Sequence, residues 1–127
     1  VEVSGVKKIL IVDDQPEVRE LVEVTLSIGT YHIIQASSGD EALAIARAER
    51  PDLVLLDVMM PKSTIDGFEV CRRIKTDAAL EKTVVVMVTA RGQEQDLEMG
   101  RVVGADGYFT KPFSPLQLMN MVEEVLG

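Results

Sequence analysis

The chain has 127 residues, a net charge of −8 and a pI near 4.6, with 46% hydrophobic and 27% charged residues. That length predicts one domain, 1–127, with a core that needs no covalent staple, and the acidic balance argues against direct contact with nucleic acid or an anionic membrane, because like charge repels phosphate. Cys71 is alone, so no internal disulfide can form; no apolar run reaches the ~20 residues that span a bilayer, no leader pattern opens the chain, and the expected location is cytoplasmic.

Short apolar runs alternate with amphipathic segments. Ile9-Leu10-Ile11-Val12 is continuous and β-branched, the pattern of a strand buried on both faces. A helix follows, with Pro16 in its first turn, Val18, Leu21, Val22 and Thr25 at helical spacing, and Gly29 where it should have stopped. His32 to Ala36 reads as a weaker strand. Ser38-Gly39-Asp40-Glu41 opens the second helix, Ser38 and Glu41 having the spacing of a capping box. Leu53 to Leu56 is the third strand, and Gly67 to Lys75 the third helix. Val84 to Val88 is the fourth strand, followed by a helix from Gln93 to Val103 closed by Gly104. Gly107 to Thr110 is a fifth strand, and Pro115 to Leu126 a fifth helix. Five such βα units, joined by right-handed crossovers, give a doubly wound α/β fold with a parallel sheet.

Open α/β sheets bind ligands outside the carboxyl ends of their strands. Strand one there ends in Asp13-Asp14, strand three in Asp57, strand four in Thr89-Ala90, and strand five runs into Lys111-Pro112. Three carboxylates brought to one edge repel one another, and a divalent cation relieves that repulsion. Oxygen-only ligands suit Mg²⁺, which keeps waters and uses one or two carboxylates plus phosphate oxygens. Lys111 is the counter-charge, its direction set by the following proline, and a cis Lys111-Pro112 bond would serve that purpose. Thr89 adds a hydroxyl at the end of a buried strand. The plainer alternative for these groups is a set of solvated loop-end acids, a surface lysine and a strand threonine.

Taken together and in order, these stretches resemble the receiver domain of two-component response regulators. The resemblance runs from about Lys7 to Leu126. It rests on Ile9 to Asp14, on Asp52 to Pro61, on Asp66-Gly67-Phe68-Glu69, on Val86 to Ala90 and on Gly104 to Phe113. It implies a five-stranded sheet in the flavodoxin-like order 2-1-3-4-5. By the same resemblance Asp57 is the phosphoacceptor. Asp14 and Asp57 would bind Mg²⁺ through their carboxylates, Asp13 mainly through water, and Met59 through its carbonyl. Lys111 would pair with the phosphoryl group and Thr89 would bond it after transfer. Tyr108 is the switch aromatic, and Ala90 leaves room beside the acyl phosphate. The donor would be the phosphohistidine of a sensor histidine kinase or a phosphotransfer protein. The chain would be a phosphoacceptor rather than a turnover enzyme. His32, the only histidine, is expected far from this edge.

One departure concerns the loop beside the site. The family usually has its Asp-Gly pair three residues after the proline, whereas here Lys62-Ser63-Thr64-Ile65 separates Pro61 from Asp66. Among rival readings, a flavin-binding sheet needs a Ser/Thr/Gly phosphate loop, which Asp13-Asp14-Gln15-Pro16 opposes electrostatically. An aspartyl phosphatase needs a second acid near Asp57 to activate water. An interaction module that is never phosphorylated would be expected to lose an acid, the threonine or the lysine. Family members commonly signal through helix four, strand five and helix five, to an effector or a second copy. Here 115–127 has no Lys or Arg. Leu116 and Met121 are expected to point outward there, with Leu97 beside Tyr108, as an apolar docking patch.

Overall fold

The computed structural model describes residues 6–90 and 94–127. The elements follow in the order β1 (Lys7–Val12), α1 (Pro16–Leu26), β2 (Tyr31–Ala36), α2 (Gly39–Glu49), β3 (Leu53–Asp57), α3 (Gly67–Lys75), β4 (Val84–Ala90), α4 (Glu94–Val102), β5 (Gly107–Lys111) and α5 (Pro115–Leu126). All strand pairs are parallel and the sheet order is β2-β1-β3-β4-β5, the expected doubly wound arrangement. Gln93, the expected first residue of the fourth helix, lies outside the described residues.

The continuous apolar runs are explained by burial on two sides. Successive strand side chains point to opposite faces. Leu10, Val12, Val54, Leu56, Val85 and Met87 enter a core layer with Ala42, Leu43 and Ala46 of α2 and Val70, Cys71 and Ile74 of α3. Ile9, Ile11, Leu53, Leu55, Val86 and Val88 enter a second layer with Val22 and Leu26 of α1 and Leu118 and Val122 of α5. Each fully buried Leu, Ile, Val or Met contributes roughly 1.5–3 kcal/mol of transfer free energy. A one-residue slip of any central strand would exchange its two faces and misplace every residue at its end.

Capping sets the helix starts. Ser114 and Gln117 form a complete capping box on α5, with Gln117 N donating to Ser114 Oγ at 3.1 Å and Ser114 N to Gln117 Oε1 at 2.8 Å. Asp66 Oδ1 accepts from Glu69 N at 2.9 Å at the start of α3. On α2 only half of the expected box forms. Ser38 Oγ accepts from Glu41 N at 3.2 Å, while the Glu41 carboxylate accepts from Ser37 N at 2.6 Å instead of from Ser38. Gly104, at φ +91°, supplies the left-handed residue that closes α4. No helix among the described residues is long and apolar enough to cross a membrane.

Candidate functional site

The register aligns the strand ends. Val12 pairs with Leu56, Asp57 with Val88, Thr89 with Thr110, and Ala90 with Lys111. Asp13-Asp14, Asp57, Thr89 and Lys111 therefore emerge at one edge. α3 starts close against this edge, since a Cβ on Gly67 would lie 2.4 Å from the Asp57 carbonyl oxygen. Only glycine allows that approach, so Gly67 lets the start of α3 close against the end of β3.

Asp13, Asp14 and Asp57 each present a carboxylate oxygen within 4.8 Å of the others. Asp13 and Asp57 are buried and Asp14 is half-buried. Lys111 Nζ lies 3.3 Å from Asp13 Oδ2 and 3.6 Å from Asp57 Oδ2, and the Lys111-Pro112 bond is cis. Asp57 Oδ1 accepts from Met59 N at 3.3 Å. Asp13 Oδ1 accepts from Gln15 N at 2.9 Å, and its carbonyl accepts from Arg19 Nη1 at 2.5 Å. Burial, then the charge of Asp13, pushes the Asp57 carboxyl up to about 6 against the pull of Lys111. These groups border an open cavity of about 360 Å³ lined by Asp14, Gln15, Asp57, Met59, Pro61, Lys62, Ala90 and Lys111.

This geometry suits a hard divalent cation. The donors are all oxygen, they converge, and their mutual repulsion together with burial makes a charged Asp57 costly until positive charge arrives. An anionic ligand can then approach Lys111 from the cavity.

Thr89 is buried, and its Oγ1 donates to Asp96 Oδ2 at 3.1 Å. Tyr108 is half-buried, its hydroxyl donating to the Leu97 carbonyl at 2.7 Å while its ring packs against the α2–α3 core layer. His32 is exposed on β2 and pairs with Lys8, away from the carboxyl edge.

The expected outward pair on α5 is divided. Leu116 is exposed, but Met121 is half-buried and packs against the second core layer. Five positions on a helix of 3.6 residues per turn separate the two by about 140°. Met121 instead lines a groove with Tyr108, Phe109 and Phe113. Sequence reasoning also missed Asp96, Arg19 and Lys62. A buried strand-end threonine needs a partner, which was a signal for Asp96. A lone lysine in the lengthened loop beside three acids was a signal for Lys62.

Comparison with known proteins gives a consistent result. Residues 9–123 match the family model described as "Response regulator receiver domain". The alkaline phosphatase synthesis transcriptional regulatory protein PhoP of Bacillus subtilis is 42% identical over 120 residues, covering 94% of this chain and 48% of that protein. The phosphate regulon transcriptional regulatory protein PhoB of Pseudomonas aeruginosa is 41% identical over 120 residues, covering 94% and 52%. The chain thus spans about half the length of these curated relatives. Among solved structures, chemotaxis response regulator CheY4 of Vibrio cholerae superposes with a TM-score of 0.87 at 33% identity, covering 95% of this chain and 99% of that one. The receiver domain of NtrX from Brucella abortus gives 0.85 at 31% identity, covering 93% and 97%.

Proposed function

Because the chain belongs to the response regulator receiver domain family, we propose that it is switched by transfer of a phosphoryl group to Asp57. The observation that carries this reading is the approach of Lys111 to both Asp13 and Asp57, 3.3 and 3.6 Å away, beside three converging carboxylates. A carboxylate so flanked is a nucleophile next to fixed positive charge, and phosphoryl transfer depends chiefly on positioning and charge stabilisation.

An Asp57 oxygen attacks phosphorus in line. The P–N bond of a donor phosphohistidine breaks, its electron pair stays on the imidazole, and the imidazole nitrogen takes up a proton. Lys111 holds a phosphoryl oxygen as charge redistributes. Asp13, Asp14 and Asp57, with the Met59 carbonyl, would hold Mg²⁺, which when bound supplies charge neutralisation at the transferring oxygens. Thr89 then bonds the acyl phosphate, and Tyr108 and Ala90 adjust around it. The chain accepts the group and later loses it to water, so it acts as a signal carrier and not as a turnover enzyme. Donor and output partners are a sensor histidine kinase or phosphotransfer protein and an effector or second copy at the α4–β5–α5 face. The cytoplasm is the fitting location.

The rival reading, an interaction module that is never phosphorylated, is not favoured because every acid, the threonine and the lysine are retained. Incubation with Mg²⁺ and acetyl phosphate or phosphoramidate, followed by intact mass, tests the proposal. An acid- and base-labile gain of ~80 Da is expected, lost in Asp57→Asn because an amide is a poor nucleophile. Equal labelling of the variant refutes the assignment.

A further inference from the structure

The lengthened loop is built onto α2. Gly39 N, the first amide of α2, donates to Ser63 Oγ at 2.8 Å, and Ser63 Oγ donates to the Ile65 carbonyl at 2.6 Å. Thr64 Oγ1 donates to Asp40 Oδ2. Ile65 packs so closely that a Cβ on Gly39 would lie 2.5 Å from its Cγ1. The extra residues therefore fix the path of the loop, and that path sets Lys62 at the cavity wall, its backbone N 3.5 Å from Asp14 Oδ2.

Among the described residues, Lys62 and Lys111 are the cations lining this cavity. Lys111 is engaged by Asp13 and Asp57, whereas the Lys62 ammonium makes no ion pair among the described residues. The charges of the site show what such a cation can do. Three carboxylates would be offset by Lys111 and one bound divalent ion. Once Asp57 becomes a dianionic acyl phosphate, one negative charge is left uncompensated.

We propose that Lys62, positioned by the Ser63–Thr64–Ile65 clamp on α2, is a second phosphoryl-binding cation that receives anionic donors at the cavity mouth and compensates the charge of the product. The inference rests on Asp57 as the phosphoacceptor. With acetyl phosphate the Asp57 O–P bond forms, the donor P–O bond breaks and its electron pair leaves on acetate. Lys62 transfers no proton and acts by charge alone.

The test compares the parent with Lys62→Met and Lys62→Arg. The readouts are the initial rate of Asp57 labelling by acetyl phosphate and Mg²⁺ binding without donor by titration calorimetry. In Lys62→Met, labelling should slow about threefold to tenfold, with the deficit shrinking as salt rises. Mg²⁺ affinity should rise about threefold, because a cation beside the metal site is removed. Lys62→Arg should keep parental values for both. These opposite signs separate charge from structure, since loss of the loop's shape would weaken labelling and Mg²⁺ binding together. Either that joint loss or unchanged values in Lys62→Met overturns the inference while labelling of the parent still upholds the reading of Asp57. An unlabelled parent overturns both.

Discussion

Thr89 Oγ1 donates to Asp96 Oδ2 at 3.1 Å and so ties the carboxyl end of β4 to the first turn of α4. Thr89 is buried beside the acidic edge, and a buried hydroxyl keeps a partner in every state it visits. An acyl phosphate on Asp57, as proposed above, would offer that hydroxyl a stronger acceptor in one state only. A ligand shifts a two-state equilibrium by such differential affinity. Taking the hydroxyl from Asp96 would remove a tether from α4 and so link the proposed chemistry to the helix.

Asp96→Ala should therefore loosen α4 without phosphorylation. A hydrogen bond to a charged group is worth roughly 1.5–3 kcal/mol, so amide exchange along α4 should quicken by about tenfold or more. Thr89→Ala should do the same, and the double variant should exceed neither single one. Phosphorylation should raise α4 exchange in the parent and leave Asp96→Ala nearly unchanged. Parental exchange rates in unphosphorylated Asp96→Ala would remove the tether from the argument.

The Asp57 carboxyl, pushed up to about 6 by burial first and by Asp13 second, makes a prediction about pH. The folded state holds this proton more tightly than the unfolded chain, whose value is about 3.8. Stability from Asp57 is therefore full below about pH 4 and is lost as pH rises to about 6. In metal-free buffer, Asp57→Asn should be more stable than the parent at pH 7, and the advantage should fade towards pH 4. Denaturant melts of both proteins at the two pH values measure it. A difference that does not change with pH contradicts the assignment of strain to this carboxylate.

Much of this site could be read from sequence because strand ends are local features. The runs at 9–12, 53–56 and 84–88 identify two-faced strands, and the next polar residues must then emerge at the same edge of a parallel sheet. Asp57 is legible for that reason, as is Lys111 before a proline. Asp96 is not, because its partner depends on how α4 turns relative to β4, a matter of tertiary packing. Lys62 required the path of a loop whose anchor is α2, more than twenty residues away in sequence. Met121 was misjudged because helical periodicity separates core from solvent but does not show a second neighbour, here β5, beside the same helix.

The division of Leu116 from Met121 changes what is expected of the α5 surface proposed for output. The groove lined by Tyr108, Phe109, Phe113 and Met121 also takes in Thr110, Gln117 and Asn120, Glu124 is its only charged residue among the described residues, and α5 carries no Lys or Arg. Self-association of the phosphorylated chain through this groove should bury Tyr108, Phe109, Phe113 and Met121 and, with no cation there to pair with Glu124, weaken only slightly with salt. Met121→Lys should abolish it, since an ammonium would have to be desolvated there. Leu116→Glu should leave it intact, and both variants should label at Asp57 at parental rates. Sedimentation of the phosphorylated proteins gives the answer, with loss in Leu116→Glu or a steep salt dependence counting against the groove.

Gly100 and Tyr108 pack directly against each other where α4 meets β5. A Cβ on Gly100 would lie 2.5 Å from Tyr108 Cε1 and 3.0 Å from its hydroxyl oxygen. The tyrosine ring thus occupies the space that any other residue at 100 would fill, and its hydroxyl reaches the Leu97 carbonyl on the same helix. Gly100→Ala should drive the ring out and break that hydrogen bond. Alanine favours the helix by about 1 kcal/mol over glycine, which offsets the lost packing, so overall stability should stay within about 1 kcal/mol of the parent. Burial, the largest influence on the Tyr108 phenol, pushes its titration above the ordinary value. With the ring displaced, that titration should move down, and Tyr108→Phe identifies the curve. Ultraviolet titration of the phenolate reads the shift directly. If the Tyr108 curve of Gly100→Ala overlays that of the parent, the ring has not moved and Gly100 does not govern its position.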